Sequence, residues 1–158
     1  MNIRHLIGEV VRMMREQAES RGIELGTKLS DREVEIWADE RAIKQIFLNL
    51  LSNAIKFSRD GGEVCIRVVS EKPGLVVVEF EDHGIGMNEE ELERALQPFG
   101  QAQPSTTRNY GGTGLGLPIT KGLIEAHGGK LTIESRVGQG TIARISLPTD
   151  RKPLMAGA

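Results

Sequence analysis

The sequence predicts a two-layer α/β sandwich: one mixed β-sheet with helices packed on a single face, within one domain. Three observations carry this. The chain has 158 residues, 39% of them hydrophobic, enough for one real core. Stretches of helical period are interspersed with pairs of short, alternating, β-branched stretches. No internal repeat and no linker divides the chain, so helices and strands must share one core.

The elements follow in order. Met1 to Gly22 reads as a helix, with Ile3, Leu6, Ile7, Val10, Val11 and Met14 on one face and Gly22 as its stop. Ile23 to Leu29 and Glu33 to Ala38 read as two short strands joined at Ser30-Asp31. The run from Asp39 to Ser58 is the most strongly patterned helix. Ile43, Ile46, Phe47, Leu50, Leu51, Ala54 and Ile55 recur at i, i+3, i+4 and i+7, Asp39 can N-cap them, and Gly61-Gly62 ends the run. Glu63 to Ser70 and Leu75 to Glu81 alternate as a hairpin about Lys72-Pro73-Gly74. Asn88, followed by three glutamates, caps a short helix to Ala95. Gln97 to Gly112 has no periodicity; a loop this long in a compact domain is functional or mobile. Gly114 to His127 is helical, with Pro118 in its first turn. Lys130 to Ser135 and Thr141 to Leu147 are strands joined by Val137-Gly138-Gln139-Gly140. The domain is placed at 1–149 and a disordered tail at 150–158.

Bulk chemistry excludes several classes. With 20 basic and 22 acidic residues there is no basic excess to favour nucleic acid or an anionic membrane. The single cysteine, Cys65, cannot form an internal disulfide and reads as a small filler in its strand. Neither a signal peptide nor a bilayer-spanning apolar run is present in the sequence, so a cytoplasmic location is expected.

Chemistry concentrates in two places. On the long helix, Asn49, Asn53 and Lys56 are spaced by four and three, so they share the side away from the apolar stripe. Two amides and a lysine offer carbonyl oxygens to a hard cation and a point charge to phosphate. Taken alone, the same face is equally compatible with two incidental asparagines. The second place is a set of glycine clusters: Asp82-His83-Gly84-Ile85-Gly86 after a strand, Gly111-Gly112-Thr113-Gly114-Leu115-Gly116 leading into a helix, and Gly138-Gln139-Gly140-Thr141 between strands. A strand-end acid beside G-x-G can accept hydrogen bonds from a flat ligand, and free N–H groups at a helix start bind phosphate. A Walker A string is absent from the sequence, and the residues before Gly111 are loop rather than the strand that a dinucleotide fingerprint needs.

In this order, Asn49-x-x-x-Asn53, Asp82-x-Gly84-x-Gly86, Pro98-Phe99, Gly112-Thr113-Gly114-Leu115-Gly116-Leu117 and Gly138-x-Gly140-Thr141 resemble the N, G1, F, G2 and G3 boxes of a sensor histidine kinase. The resemblance is to the catalytic ATP-binding domain of that family, within the GHKL superfamily, from about Asn2 to Pro148. It implies a Bergerat-type fold, a mixed sheet of about five strands against three helices. It also implies roles. Asn53 would ligate Mg²⁺ bridging the ATP phosphates, with Asn49 supporting it and Lys56 contacting phosphate. Phe57 would lie against adenine and Asp82 would accept from its amino group, with Gly84 and Gly86 permitting close approach. Thr141 would assist through a water. Gln97 to Gly112 would be the ATP lid, Phe99 packing its base and Arg108 reaching the γ-phosphate. Gly112, Thr113, Gly114, Leu115 and Gly116 would bring backbone to the phosphates.

The remaining singular residues read as structural. His83 fills a variable slot, His127 sits at a helix C-terminus, Met13 and Met14 pack or lie at the surface, and Trp37 is a core or interface aromatic. Ala143 departs from the aromatic frequent in the family at that place. None of His5, His83 and His127 has the context of the family's phosphoacceptor. The resemblance therefore implies a catalytic domain alone, monomeric, acting on a histidine in a separate dimeric helical hairpin and through it on a response regulator, in a cytoplasmic or membrane-anchored parent. Rival readings are a GHKL ATP hydrolase and a silent nucleotide-binding regulatory module.

Overall fold

The computed structural model of the protein describes residues 1–29, 34–72, 74–97 and 116–149, the side chains of 70–72 excepted. Within these, four helices and five strands follow one another: α1 (Ile3–Glu19), β1 (Glu24–Lys28), α2 (Glu40–Phe57), β2 (Glu63–Lys72), β3 (Leu75–Asp82), α3 (Glu89–Ala95), α4 (Gly116–Ala126), β4 (Lys130–Arg136) and β5 (Gly140–Pro148). The strands form one mixed sheet in the order β1-β2-β3-β5-β4, with β1 parallel to β2 and every other pair antiparallel. Helices α1, α2 and α4 cover one face, as the two-layer sandwich requires, and α3 stands aside as a short connector.

The apolar stripe of α2 is the centre of the core. Each of Ile43, Ile46, Phe47, Leu50, Leu51, Ala54 and Ile55 is buried. They meet Ile3, Leu6, Ile7 and Val10 of α1 and the inward residues of the sheet, Val64, Ile66, Val76, Val78, Phe80, Ile145 and Leu147. Phe47 packs edge-to-face on Phe80, ring centroids 5.5 Å apart. Ala143 lies directly across the β3–β5 ladder from Phe80, so the small residue leaves that ring its space. Caps fix where helices begin: Asn2 accepts from the His5 amide, Asp39 from the Arg41 amide, and Asn88 with Glu91 forms a reciprocal capping box.

One expectation needs correction, and another is narrowed. Glu33 to Ala38 does not form a strand: among its described residues only an isolated bridge, Glu35 to Asn2, is present, flanked by Ile3 N–H to Val34 and Ile36 N–H to Met1. Pairing with the chain start takes the place of the second short strand, and the joint at Ser30-Asp31 lies outside the described residues. Of the two places read for Trp37, core or interface, the core is excluded: the residue is 68% exposed. The tail 150–158 and most of the predicted lid also lie outside the described residues.

The sheet face away from the helices carries charge rather than a second apolar layer. Glu81 pairs with Arg67 (2.6 Å), Arg67 with Glu79 (3.4 Å), Glu79 with Arg144 (2.6 Å) and Arg144 with Glu134 (3.5 Å). One alternating row thus crosses β2, β3, β5 and β4, and the arginine stems shield the strands beneath them. Among the described residues no helix is long and apolar enough to cross a membrane.

Candidate functional site

The site is built on the last turns of α2. Asn49, Asn53 and Lys56 are each half-buried, on the side opposite the apolar stripe, as their spacing predicts. Asn49 is already engaged: its Nδ2 donates to Thr120 Oγ1 of α4 (3.0 Å) and its Oδ1 accepts from Gln45 Nε2 (2.7 Å). The Asn53 side chain has no hydrogen-bond partner among the described residues. The end of α2 is held from outside the helix. Arg21 donates to the carbonyls of Ile55, Lys56 and Ser58 and pairs with Asp60 at 2.8 Å. One guanidinium thereby gathers three carbonyls at the helix end, of which, among the described residues, only that of Ile55 also accepts a backbone bond, from Ser58 N–H at 3.3 Å.

The segment after β3 is clamped to this helix end. Phe57 C=O accepts from Ile85 N–H (3.2 Å). A Cβ on Gly84 would overlap that same Phe57 carbonyl, one on Gly86 (φ 66°) would overlap the Arg136 carbonyl, and one on Gly140 (φ 117°) would overlap the Asp82 carbonyl. The space these glycines leave is filled by the chain's own backbone. Three strand and helix ends meet there too closely for any side chain.

Asp82 ends β3 on the helix-covered face and is 6% exposed. Its Oδ1 accepts from Gly84 N–H at 2.9 Å. Burial raises the carboxyl from 3.8 to about 6, against the lowering effect of amide hydrogen bonds from Gly84 and Thr141 and of nearby His83. A buried acceptor with so few fixed partners is suited to reading a donor on an entering ligand. Thr141 lies opposite Asp82 in the ladder, and its hydroxyl meets Ser135 Oγ at 2.7 Å. Ser135 also accepts from Met87 N–H (2.8 Å) and reaches the Gly140 carbonyl (3.2 Å), tying the first and third glycine clusters together.

The structure therefore brings together Asn53, Lys56, Phe57, Asp82, Gly84, Gly86 and Thr141 around the α2 end, with Asn49 one turn further back and Gly116 opening α4. Phe99, Arg108, Gly112, Thr113, Gly114 and Leu115 lie outside the described residues. Three supporting residues escaped the sequence reading. Ser135 is a polar residue at an inward position of an alternating strand, and Thr120 sits among the apolar residues of α4; both breaks in pattern are visible in the sequence. Arg21 beside Gly22 looks like an ordinary helix end, and nothing local marks it as the cap of another helix.

Comparison with known proteins agrees with this geometry. Residues 38–151 match the family model described as histidine kinase-, DNA gyrase B-, and HSP90-like ATPase. The chain is 38% identical over 159 residues to the cell-division control histidine kinase PdhS of Brucella canis, covering 96% of this chain and 15% of that protein. It is 39% identical over 153 residues to the histidine protein kinase DivJ of Caulobacter vibrioides, covering 97% of this chain and 25% of that protein. Its fold superposes on full-length ShkA, solved in complex with AMPPNP, with a TM-score of 0.82 and 30% identity, over 99% of this chain and 32% of that one. The chain spans only a minor part of each of these kinases. With an asparagine-bearing helix clamped to a buried aspartate, and a family match over most of its length, the chain belongs to the histidine kinase-, DNA gyrase B- and HSP90-like ATPases, as a histidine kinase catalytic ATP-binding domain.

Proposed function

We propose that this domain binds Mg-ATP at the α2 end and transfers the γ-phosphoryl group to a histidine of a separate helical-hairpin domain, from which a response regulator is served. The observation that carries this reading is the clamp of α2 to the Asp82 segment through the Phe57 carbonyl. It supports the reading by holding the buried Asp82 segment against the end of the helix that carries Asn53 and Lys56. Asp82 accepts from the adenine amino group, Phe57 lies against the ring, and Thr141 assists through a water. Lys56 and Arg108 offset phosphate charge, and residues 112–116 present backbone N–H groups.

The donor set fits magnesium. Among the described residues no cluster of His, Cys, Asp or Glu could hold a metal alone. An Asn53 amide oxygen without a partner among the described residues, together with ATP phosphates, would make the sparse, oxygen-only set that Mg²⁺ accepts while keeping its waters. When bound, the ion neutralises charge on the phosphates.

Asn49 decides between kinase and hydrolase. In the hydrolase branch that position carries a glutamate acting as general base on water. An amide cannot take a proton at neutral pH, and here both ends of it are engaged. A histidine acceptor brings its own nucleophile. Its ring nitrogen forms the N–P bond as the bond from the γ-phosphorus to the bridging oxygen breaks, and ADP leaves with that electron pair. Mixing the domain with a cognate helical-hairpin domain and labelled ATP should place acid-labile phosphohistidine on the partner and none on this chain. Rapid ATP hydrolysis by the domain alone, lost in Asn53→Ala, would establish a hydrolase instead.

A further inference from the structure

Four groups form one hydrogen-bonded chain from α2 to α4. Gln45 Nε2 donates to Asn49 Oδ1 (2.7 Å), Asn49 Nδ2 donates to Thr120 Oγ1 (3.0 Å), and Thr120 Oγ1 donates to the Gly116 carbonyl (2.7 Å). The direction of the middle bond is forced. A hydroxyl has one hydrogen, and a carbonyl can only accept, so the Thr120 hydrogen is committed to Gly116. Thr120 can then meet Asn49 only as an acceptor, which fixes the Nδ2 end of the amide towards α4 and the Oδ1 end towards Gln45. Thr120 is 0% exposed, so water cannot take over either bond. The chain ends on the first residue of α4, where the glycine run 111–116 closes.

We propose that Thr120 is a positioning residue for the phosphate side of the nucleotide site. Its hydroxyl sets the orientation of the Asn49 amide and ties the first turn of α4 to the polar face of α2. This rests on the assignment of Asn49 and Asn53 to the metal and phosphates. Thr120 shares no hydrogen bond with Asp82, Gly84, Ser135 or Thr141, so its influence falls on Mg-ATP and not on the adenine end. A β-branched apolar side chain would fill the same volume, so only the hydroxyl is at issue.

The test measures affinity by calorimetry for Mg-ATP and for ADP in EDTA, in wild type, Thr120→Val, Thr120→Ser and Asn53→Ala. Thr120→Val is expected to lose roughly tenfold in Mg-ATP affinity, the scale of one buried hydrogen bond with its partners left unpaired, and to keep metal-free ADP within about twofold. Thr120→Ser, which keeps the hydroxyl, should restore Mg-ATP affinity. In an Asn49→Ala background, Thr120→Val should add no further loss. The proposal is overturned if Thr120→Val binds Mg-ATP like wild type, if it loses ADP equally, if Thr120→Ser is as impaired as Thr120→Val, or if the loss persists without Asn49. Asn53→Ala separates the two levels. Unchanged Mg-ATP affinity there removes the site assignment itself, whereas a loss there with none in Thr120→Val removes only the role of Thr120.

Discussion

Asp82, the proposed adenine acceptor, carries a cost in stability. Its carboxyl is raised by burial from 3.8 to about 6, so between those values the folded state holds a proton that the unfolded chain has released. Stability contributed by this group is therefore lost as pH rises through that window, and the ionised form costs up to about 3 kcal/mol above it. Asp82→Asn keeps an oxygen for Gly84 N–H and removes the charge. Urea unfolding of the nucleotide-free domain should show the variant more stable than wild type by up to about 3 kcal/mol at pH 7.5, with the gap closing near pH 4. The same variant should lose more affinity for ATP than for an analogue without the exocyclic amine; equal losses would show that Asp82 does not read it. Sequence alone located this residue through its strand-end position before G-x-G. It could not reveal the pKa, which depends on the helix layer laid over β3.

Helix α2 was legible almost to the residue because its apolar stripe follows one period from Ile43 to Ile55, and each residue of the stripe is buried in the fold. What closes it was not legible. Arg21 is 34 residues before Ile55, and a bond of that span depends on how α1 and α2 cross. The magnitudes separate its contacts. The pair with Asp60, 82% exposed, is worth little, while charge-assisted bonds to three carbonyls are not. Arg21→Ala should destabilise by about 2–3 kcal/mol and weaken nucleotide binding as the Phe57 end loosens, whereas Asp60→Ala should change unfolding by less than about 0.5 kcal/mol. Equal effects would show that the ion pair, not the cap, matters. The segment 34–38 misled because alternation was present without a strand partner within reach. Its bonds go to the chain start instead.

At the scale of the molecule, the sheet divides an apolar face from a charged one, and this division was visible as alternation in the hairpin strands β2 and β3. Which charges meet was not, because register depends on how the strands align across hairpin and crossover. Glu79 is the junction of the row, 8% exposed and paired to both Arg67 and Arg144. Glu79→Gln should cost about 1–2 kcal/mol, since two arginines lose a shared carboxylate while Arg67 keeps Glu81. Glu134→Ala, at the exposed end, should stay within about 0.5 kcal/mol in the same urea titration.

The backbone-to-backbone packing at Gly84, Gly86 and Gly140 bears on how variation in such a domain should be read. In a saturation library scored by cellular abundance, these three positions should reject every replacement even without nucleotide, because the added carbon meets carbonyl oxygens of the chain itself. Asn53 and Lys56 should tolerate most replacements in the same screen and fail only when signalling output is scored. The motif glycines would then separate from the motif amide and lysine, the first group marking heritable constraint on foldability and the second constraint on chemistry.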